Sequence, residues 1–231
     1  MMLQLDPLND GISSVQLVEY LGGDRSVTQA ARVSFANDLT VYTDERDYRL
    51  IKFLLKEGHG TPFESNLLKF RIKCPIFVDR HFVKYRAGVS KSEQSLRYTE
   101  VQDEFYVPNE FRSQSKSNRQ ASVEGGLTEQ QQTAARKRVV EANFNALAVY
   151  KDLLRIGVAR EQARAVLPLS TYVASYYTMN LRALLHILNQ RDHKDAQFET
   201  RQFAIAMKQL AEPLFPMVFR ALEELRIEHG R

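Results

Sequence analysis

Residues 84–98, KYRAGVSKSEQSLRY, gather four cations (Lys84, Arg86, Lys91, Arg97), three serines, two tyrosines and one carboxylate, Glu93. Cations beside serine hydroxyls and backbone N–H groups form the donor set that a phosphate needs. The carboxylate among them suits a base edge, a ribose hydroxyl or a further cation. Only Val89 and Leu96 are strongly apolar, so the stretch is no ordinary core segment; a solvated basic loop is the plain alternative. A second polar set, Arg182, His186 and Asn189, recurs at i, i+4 and i+7, flanked by Asn180 and Arg191. Leu181, Leu184, Leu185 and Leu188 take the other side, so the polar row is either a cleft wall or a face turned to water. Arg160 and Arg164 align at i and i+4, where like charges repel unless an anion or Glu161 sits nearby. His59, Thr61 and Glu64 lie close together in GHGTPFES, residues 58–65.

Several chemistries lack their residues. The only cysteine, Cys74, precludes a disulfide or a cysteine zinc site within one chain. It falls on the apolar side of an alternating segment and reads as a buried, inert thiol. The five histidines (His59, His81, His186, His193, His229) show no HExxH or paired spacing, so no metal is expected. There is no GxGxxG, GxxxxGK[ST] or GxSxG.

The elements that must position these groups are legible along the chain. Residues 12–20 alternate weakly and end at Gly22-Gly23: a strand and a turn. Residues 24–35 read as a short helix with Asp24 or Ser26 as N-cap, bringing Arg32 and Ser34 to its end. Residues 43–57 form a stronger helix, with Thr43 as cap, Asp44 and Glu45 in the first turn and Gly58 beyond. Residues 67–74 alternate cleanly, with Leu68, Phe70, Ile72 and Cys74 opposite Lys69, Arg71 and Lys73. Pro75 opens a helix expected to reach residue 86, putting Phe77, Arg80, His81 and Lys84 at helical spacing. The basic stretch comes next as a loop, and residues 105–108 close a strand. Residues 109–127 are polar and read as a long mobile loop. Thr128 and Gln131 form a capping-box pair ahead of a long helix to Gly157. Further helices are expected over 160–167, 177–189 and 194–228. This is an α+β pattern rather than repeated βαβ units.

The chain has 231 residues, 44% hydrophobic and 26% charged, enough for a full core in one domain. A net charge of +4 fits anionic small ligands and nucleic acid alike. A basic nucleic-acid binder is therefore the rival reading, although no known nucleic-acid motif is present. No leader or membrane span is recognisable, and the lone cysteine suits a reducing, cytoplasmic setting.

Taken together, the blocks match a family. The chain resembles the flavin-dependent thymidylate synthases, the ThyX family, whose signature is Arg-His-Arg, a spacer, then Asn-Glu-x-Ser-x-Arg-Tyr. The equivalent run here is Lys84-Tyr85-Arg86, a spacer, then Ser92-Glu93-Gln94-Ser95-Leu96-Arg97-Tyr98. AARVSF (30–35), GHGTPFE (58–64), PIFV (75–78), EFYVP (104–108), Ala163-Arg164 with VLP (166–168), Asn180-x-Arg182 and Arg191 with Ala196-Gln197 stand in family order. Lys84 and Tyr85 depart from the signature's Arg and His, Ser92 stands for Asn, the spacer is one residue longer, and His81 replaces a common Gln. The resemblance implies one catalytic domain over residues 1–231. Its fold would be α+β, with a small, largely antiparallel sheet in a mixed N-terminal half and a helical C-terminal half. It implies a homotetramer that makes dTMP from dUMP with methylenetetrahydrofolate and NADPH-reduced FAD, binding neither nucleic acid nor membrane. It implies Arg191 as the catalytic residue. Substrate contacts would be His81, Lys84, Glu93, Gln94, Ser95, Leu96, Arg97, Arg164 and Arg191. FAD contacts would be Thr61, Lys84, Tyr85, Arg86, Glu93, Asn180, Arg182 and His186, with His59 and Ser34 as weaker candidates.

Overall fold

The structure, a computed structural model, describes residues 3–118 and 121–228; residues 119–120 of the polar segment and His229 lie outside the described residues. Five strands make one antiparallel sheet in the order β1 (Gln4–Leu5), β2 (Ser14–Leu21), β3 (Leu67–Pro75), β7 (Tyr172–Asn180) and β4 (Val89–Glu93). The alternation read in β3 holds. Leu68, Phe70, Ile72 and Cys74 are buried, and Lys69, Arg71 and Lys73 lie on the half-exposed face. β7 runs beside it in register, Phe70 opposite Tyr177, and buries Val173, Ser175, Tyr177 and Met179. Helices cover that inner face: α4 (Ile76–Phe82), α7 (Leu181–Arg191) and α8 (Phe198–Ala211) send Phe82, Leu184, Phe203 and Met207 into the same apolar cluster. α1 (Asp24–Arg32), α2 (Asp44–Lys56) and α9 (Pro216–Glu228) extend it through Val27, Ile51 and Phe219. A smaller, separate cluster of Leu147, Tyr150 and Ala163 joins α5 (Glu129–Arg155) to α6 (Arg160–Ala163). Among the described residues, no helix is long and apolar enough to cross a membrane.

Caps fall largely where the sequence puts them. Thr43 Oγ1 accepts from the Arg46 N–H at 3.4 Å, and Thr128 and Gln131 close a reciprocal box at 2.9 and 3.3 Å. Asp24 is a correction. The N-cap of α1 is Gly23, and the buried Asp24 carboxylate instead accepts from the N–H groups of Met217 (2.8 Å) and Val218 (3.1 Å). It caps α9 across the core. Burial pushes its pKa up, against the pull of those two donors.

Other boundaries shift for physical reasons. The helix expected over 177–189 begins only at Leu181, because residues 172–180 alternate into the sheet and Asn180 caps the helix after them. The run 194–228 is two helices, broken around Pro213 and Pro216, which cannot continue the backbone ladder. The helix after Pro75 ends at Phe82 instead of residue 86, and 160–167 is one α-turn, α6, then a 3₁₀ turn over 164–166. Residues 105–108 contribute only a bridge, Phe105 to Thr171. The segment expected to be a mobile loop carries a small ladder, β5 (Ser113–Gln114) with β6 (Ser122–Val123), tethered by Arg112 to the buried Glu199 at 2.6 Å. The basic stretch is not all loop: its middle is the edge strand β4, paired with β7.

Candidate active site

α7 is the spine of the site. Its N-cap, Asn180, accepts from the Ala183 N–H at 2.8 Å, and its backbone N–H bonds the Gly88 carbonyl at 2.9 Å. Gly88 has φ +70, and a Cβ there would meet the Asn180 amide at 2.6 Å. Only glycine fits both constraints, so the turn leading into β4 docks directly on the helix start. One face of α7 is apolar and buried at Leu181, Leu184, Leu185 and Leu188, and Arg182, His186 and Asn189 lie exposed on the other.

At the first turn of α7, Arg182 pairs with Glu64 at 2.5 Å beside Gly60, where a Cβ would fall 2.3 Å from its Nε. Arg182, Ser34, His59 and Thr61 line a cavity of about 750 Å3 whose other walls include Ala30, Phe53 and Leu54. His59 also stacks on Phe53, with ring centroids 5.9 Å apart. Apolar walls for a flat ring, with a cation and hydroxyls at the edge, fit a flavin nucleotide by size and donor set.

Two turns further, α7 meets the residues after α4. Arg191 Nε donates to the Tyr85 hydroxyl at 2.7 Å, and that hydroxyl donates to Gln190 Oε1 at 3.0 Å. Gln190 Nε2 lies 3.1 Å from His186 Nε2, and the Tyr85 and His186 rings meet edge-on at 5.8 Å. Arg191 is half-buried, and among the described residues no carboxylate pairs with it. A partly desolvated cation without a counter-ion is a ready seat for an anionic or electron-rich ligand.

His81 lies near this cluster. Its Nδ1 is buried with no hydrogen-bond partner among the described residues, and burial, then Arg191 and Lys84, hold the imidazole below the usual histidine pKa. The folded state therefore keeps His81 neutral where the unfolded chain takes up a proton. Its contribution to stability is present above pH 6.5 and lost as pH falls through the lowered native value. Unfolding midpoints measured against pH are expected to drop below pH 6.5, and His81→Gln is expected to remove that component. An identical profile for the variant would assign the drop elsewhere.

β4 forms the next wall. Lys91 stands directly opposite Tyr177 of β7, and both reach Asp79 on α4: Lys91 Nζ to Oδ2 at 2.5 Å, Tyr177 hydroxyl to Oδ1 at 2.7 Å. Lys91 also bonds Glu93, two residues on and on the same side of the strand. Burial pulls the Lys91 ammonium pKa down, and the two carboxylates more than reverse it. Tyr85, Arg86, Lys91, Glu93 and Tyr177 line a cleft of about 400 Å3. Glu93 also borders a second cleft of about 560 Å3 on the outer sheet face, with Gln94, Leu96, Arg71 and Tyr176.

The strand ends in a turn fixed to β7 by Gln94 N–H to the Ala174 carbonyl at 2.9 Å. Ser95 Oγ accepts from the Arg97 N–H at 3.3 Å. Arg97 pairs with Glu161 on α6 at 2.9 Å, and Arg160 with Glu100 at 3.2 Å. Glu100 on the facing turn thus offsets the charge of Arg160. Arg164 is exposed and, among the described residues, makes no ion pair.

The expected residues therefore form a strip. α7 links the 750 Å3 cavity to the Arg191 cluster, Tyr85 links that cluster to the cleft beside β4, and Glu93 links this cleft to the outer one. Arg97 follows Leu96 of the outer cleft and reaches α6 through Glu161, and Arg164 lies in the turn directly after α6. Sequence reading missed Gln190, Asp79 and Tyr177; it named Lys91 as a ligand cation, and the structure pairs it with Asp79 and Glu93. Gln190 carried a usable signal, i+4 from His186 on the polar stripe. Asp79 carried none, because its role depends on β4 folding back over α4.

Residues 16–217 match the family described as thymidylate synthase complementing protein. The chain is 43% identical over 209 residues to a flavin-dependent thymidylate synthase of Kosmotoga olearia, covering 90% of this chain and 88% of that one. It is 40% identical over 214 residues to one of Thermus thermophilus, covering 93% and 77%. Among solved structures, a UMP/dUMP methylase, PolB, from Streptomyces cacaoi bound with 5-Br dUMP superposes with a TM-score of 0.84 at 35% identity, covering 92% of this chain and 95% of that one. Matches of this extent, on a sheet and helix set that place the signature against α7, show that the chain belongs to the flavin-dependent thymidylate synthase family.

Proposed function

We propose that this chain methylates dUMP to dTMP as a single catalytic domain, with methylenetetrahydrofolate as carbon donor and NADPH as reductant of a bound FAD. The observation that carries the reading is Arg191, a half-buried cation with no carboxylate partner among the described residues, anchored to Tyr85 of the signature stretch. Bound FAD supplies the hydride; the chain supplies binding, orientation and field. Arg191 presents its terminal nitrogens to the N3–O2 edge of uracil and stabilises the negative charge that develops there. Ser95, Arg97 and Arg164 take the phosphate, and Gln94 and Leu96 frame the nucleotide at the outer cleft, with Glu93, His81 and Lys84 along its length. The Arg97–Glu161 pair is over half exposed on both sides. Such pairs contribute only about 0–1 kcal/mol, so a phosphate dianion readily takes the guanidinium. Thr61, Asn180, Arg182 and His186 hold the flavin nucleotide, joined by Lys84, Tyr85, Arg86 and Glu93. The assembly is a homotetramer in the cytoplasm, and the separate walls of the strip suit a site completed by neighbouring subunits.

The visible spectrum of the purified protein tests this. A yellow protein, bleached by NADPH and recoloured by methylenetetrahydrofolate with dTMP formed from dUMP, is the expected result. A colourless protein that cannot be reconstituted with FAD would overturn it and return the nucleic-acid reading. A second reading, acceptance of UMP beside dUMP, is favoured by the likeness to PolB, which has also been solved with 5-Br UMP at a TM-score of 0.82. Methylation of UMP in the same assay decides it.

A further inference from the structure

We propose that Tyr85 is a positioning residue for Arg191, acting through a directed hydrogen-bonded chain in which Gln190 is the middle link and His186 the end. The inference rests on the reading of Arg191 as the residue that polarises uracil.

The direction of the chain is fixed by its first member. Arginine only donates, so at 2.7 Å the Arg191 Nε–H must donate to the Tyr85 oxygen. The single Tyr85 proton is then available for Gln190 Oε1 at 3.0 Å. With its oxygen so used, Gln190 turns its amide nitrogen toward His186, 3.1 Å away, and His186 Nε2 must accept. The imidazole proton is thereby placed on Nδ1. His186, Gln190 and Arg191 all come from the last two turns of α7, whereas Tyr85 arrives from the turn after α4, 106 residues earlier in the chain than Arg191. Tyr85 also packs against the main apolar cluster, so its ring is a fixed post.

An arginine side chain carries about 2 kcal/mol of rotamer entropy. Holding Nε fixes the plane of the guanidinium while leaving both terminal nitrogens to the ligand. The guanidinium carbon lies 5.6 Å from the Tyr85 ring centroid, which limits its swing on that side as well. Tyr85 stands where the family signature carries histidine. The phenol thus couples the altered signature directly to the catalytic arginine, a role separate from any flavin contact.

The test is a double-mutant cycle in the flavin-loaded enzyme: wild type, Tyr85→Phe, Arg191→Ala and the double variant. It is read as kcat per bound flavin, KM for dUMP and dUMP affinity by calorimetry, with the unfolding midpoint as control. Tyr85→Phe is expected to lower kcat about 10- to 100-fold, the scale of a misplaced catalytic group, with KM for dUMP changed less than about threefold. Added to Arg191→Ala, it is expected to change kcat by less than about twofold, because a residue acting through Arg191 has nothing left to position. Gln190→Leu removes the acceptor that orients the Tyr85 hydroxyl and is expected to lower kcat in the same direction as Tyr85→Phe, by a smaller factor. Equal losses from Tyr85→Phe in both backgrounds, or a wild-type rate for Tyr85→Phe, would overturn the proposal while leaving Arg191 in place. If Arg191→Ala itself turns over normally, the catalytic reading fails separately. The cycle on dUMP affinity then decides the positioning claim alone: coupling upholds it and additivity removes it.

Discussion

Arg191→Ala is expected to lower dTMP formation by about 10²- to 10³-fold, the scale seen when one preorganised donor is removed from a developing charge. FAD is expected to stay bound, because the cavity lined by Thr61 and Arg182 is untouched at the other end of α7. Removing the side chain also relieves His81 of one of the two cations that disfavour its protonation. Arg191→Lys is expected to recover little, since an ammonium has neither the Nε that meets Tyr85 nor the planar fork. Turnover per bound flavin, with flavin content measured from the spectrum, separates a chemical defect from cofactor loss. Turnover within about threefold of wild type would remove Arg191 from the chemistry.

Asp79→Ala is expected to be the most damaging substitution to the fold. Asp79 is buried and accepts from both Lys91 and Tyr177, itself a core residue. Without it, a mostly buried ammonium keeps only Glu93, and a buried hydroxyl keeps nothing. Breaking such a pair from one side costs about 3–5 kcal/mol. Urea midpoints check this. Asp79→Leu combined with Lys91→Met is expected to be less destabilised than Asp79→Ala alone, since it removes the stranded charge as well as its partner. A midpoint for Asp79→Ala close to wild type would show that β4 is held by its ladder to β7 and by little else.

Much of the scaffold was readable from local pattern. β3 announced itself by strict alternation, and Thr43 and Thr128 cap where a hydroxyl three residues before a free N–H should. β7 was not readable in full, because Tyr177, Met179 and Leu181 continue into a leucine-rich run that also satisfies helical spacing. What assigns residues 172–180 to a strand is a partner, β3, about a hundred residues away. The same holds within the site. The cations and serines of residues 84–98 were legible from type alone as a donor set outside the core. Their division into a strand, a turn and a tyrosine anchored on Arg191 depends on Asp79, Gln190 and Gly88, whose roles exist only once the chain has folded. Asp24 marks the limit of local reading: a capping residue in sequence, it caps a helix 193 residues away.

Among the described residues the two apolar clusters share no member, so two thresholds for opening are expected. Amides of β3 and β7 meet solvent deuterium only when the large cluster comes apart. α5 and α6 rest on Leu147, Tyr150 and Ala163, and their amides become accessible through a cheaper, partial opening. Arg97, through Glu161, and Arg164 belong to that softer piece, whereas Tyr85 and Arg191 belong to the rigid one. On the proposed placement, a nucleotide held at its phosphate by Arg97 and Arg164 and at its base by Arg191 would staple the two pieces. Slower deuterium exchange along α5 on adding dUMP is the expected result.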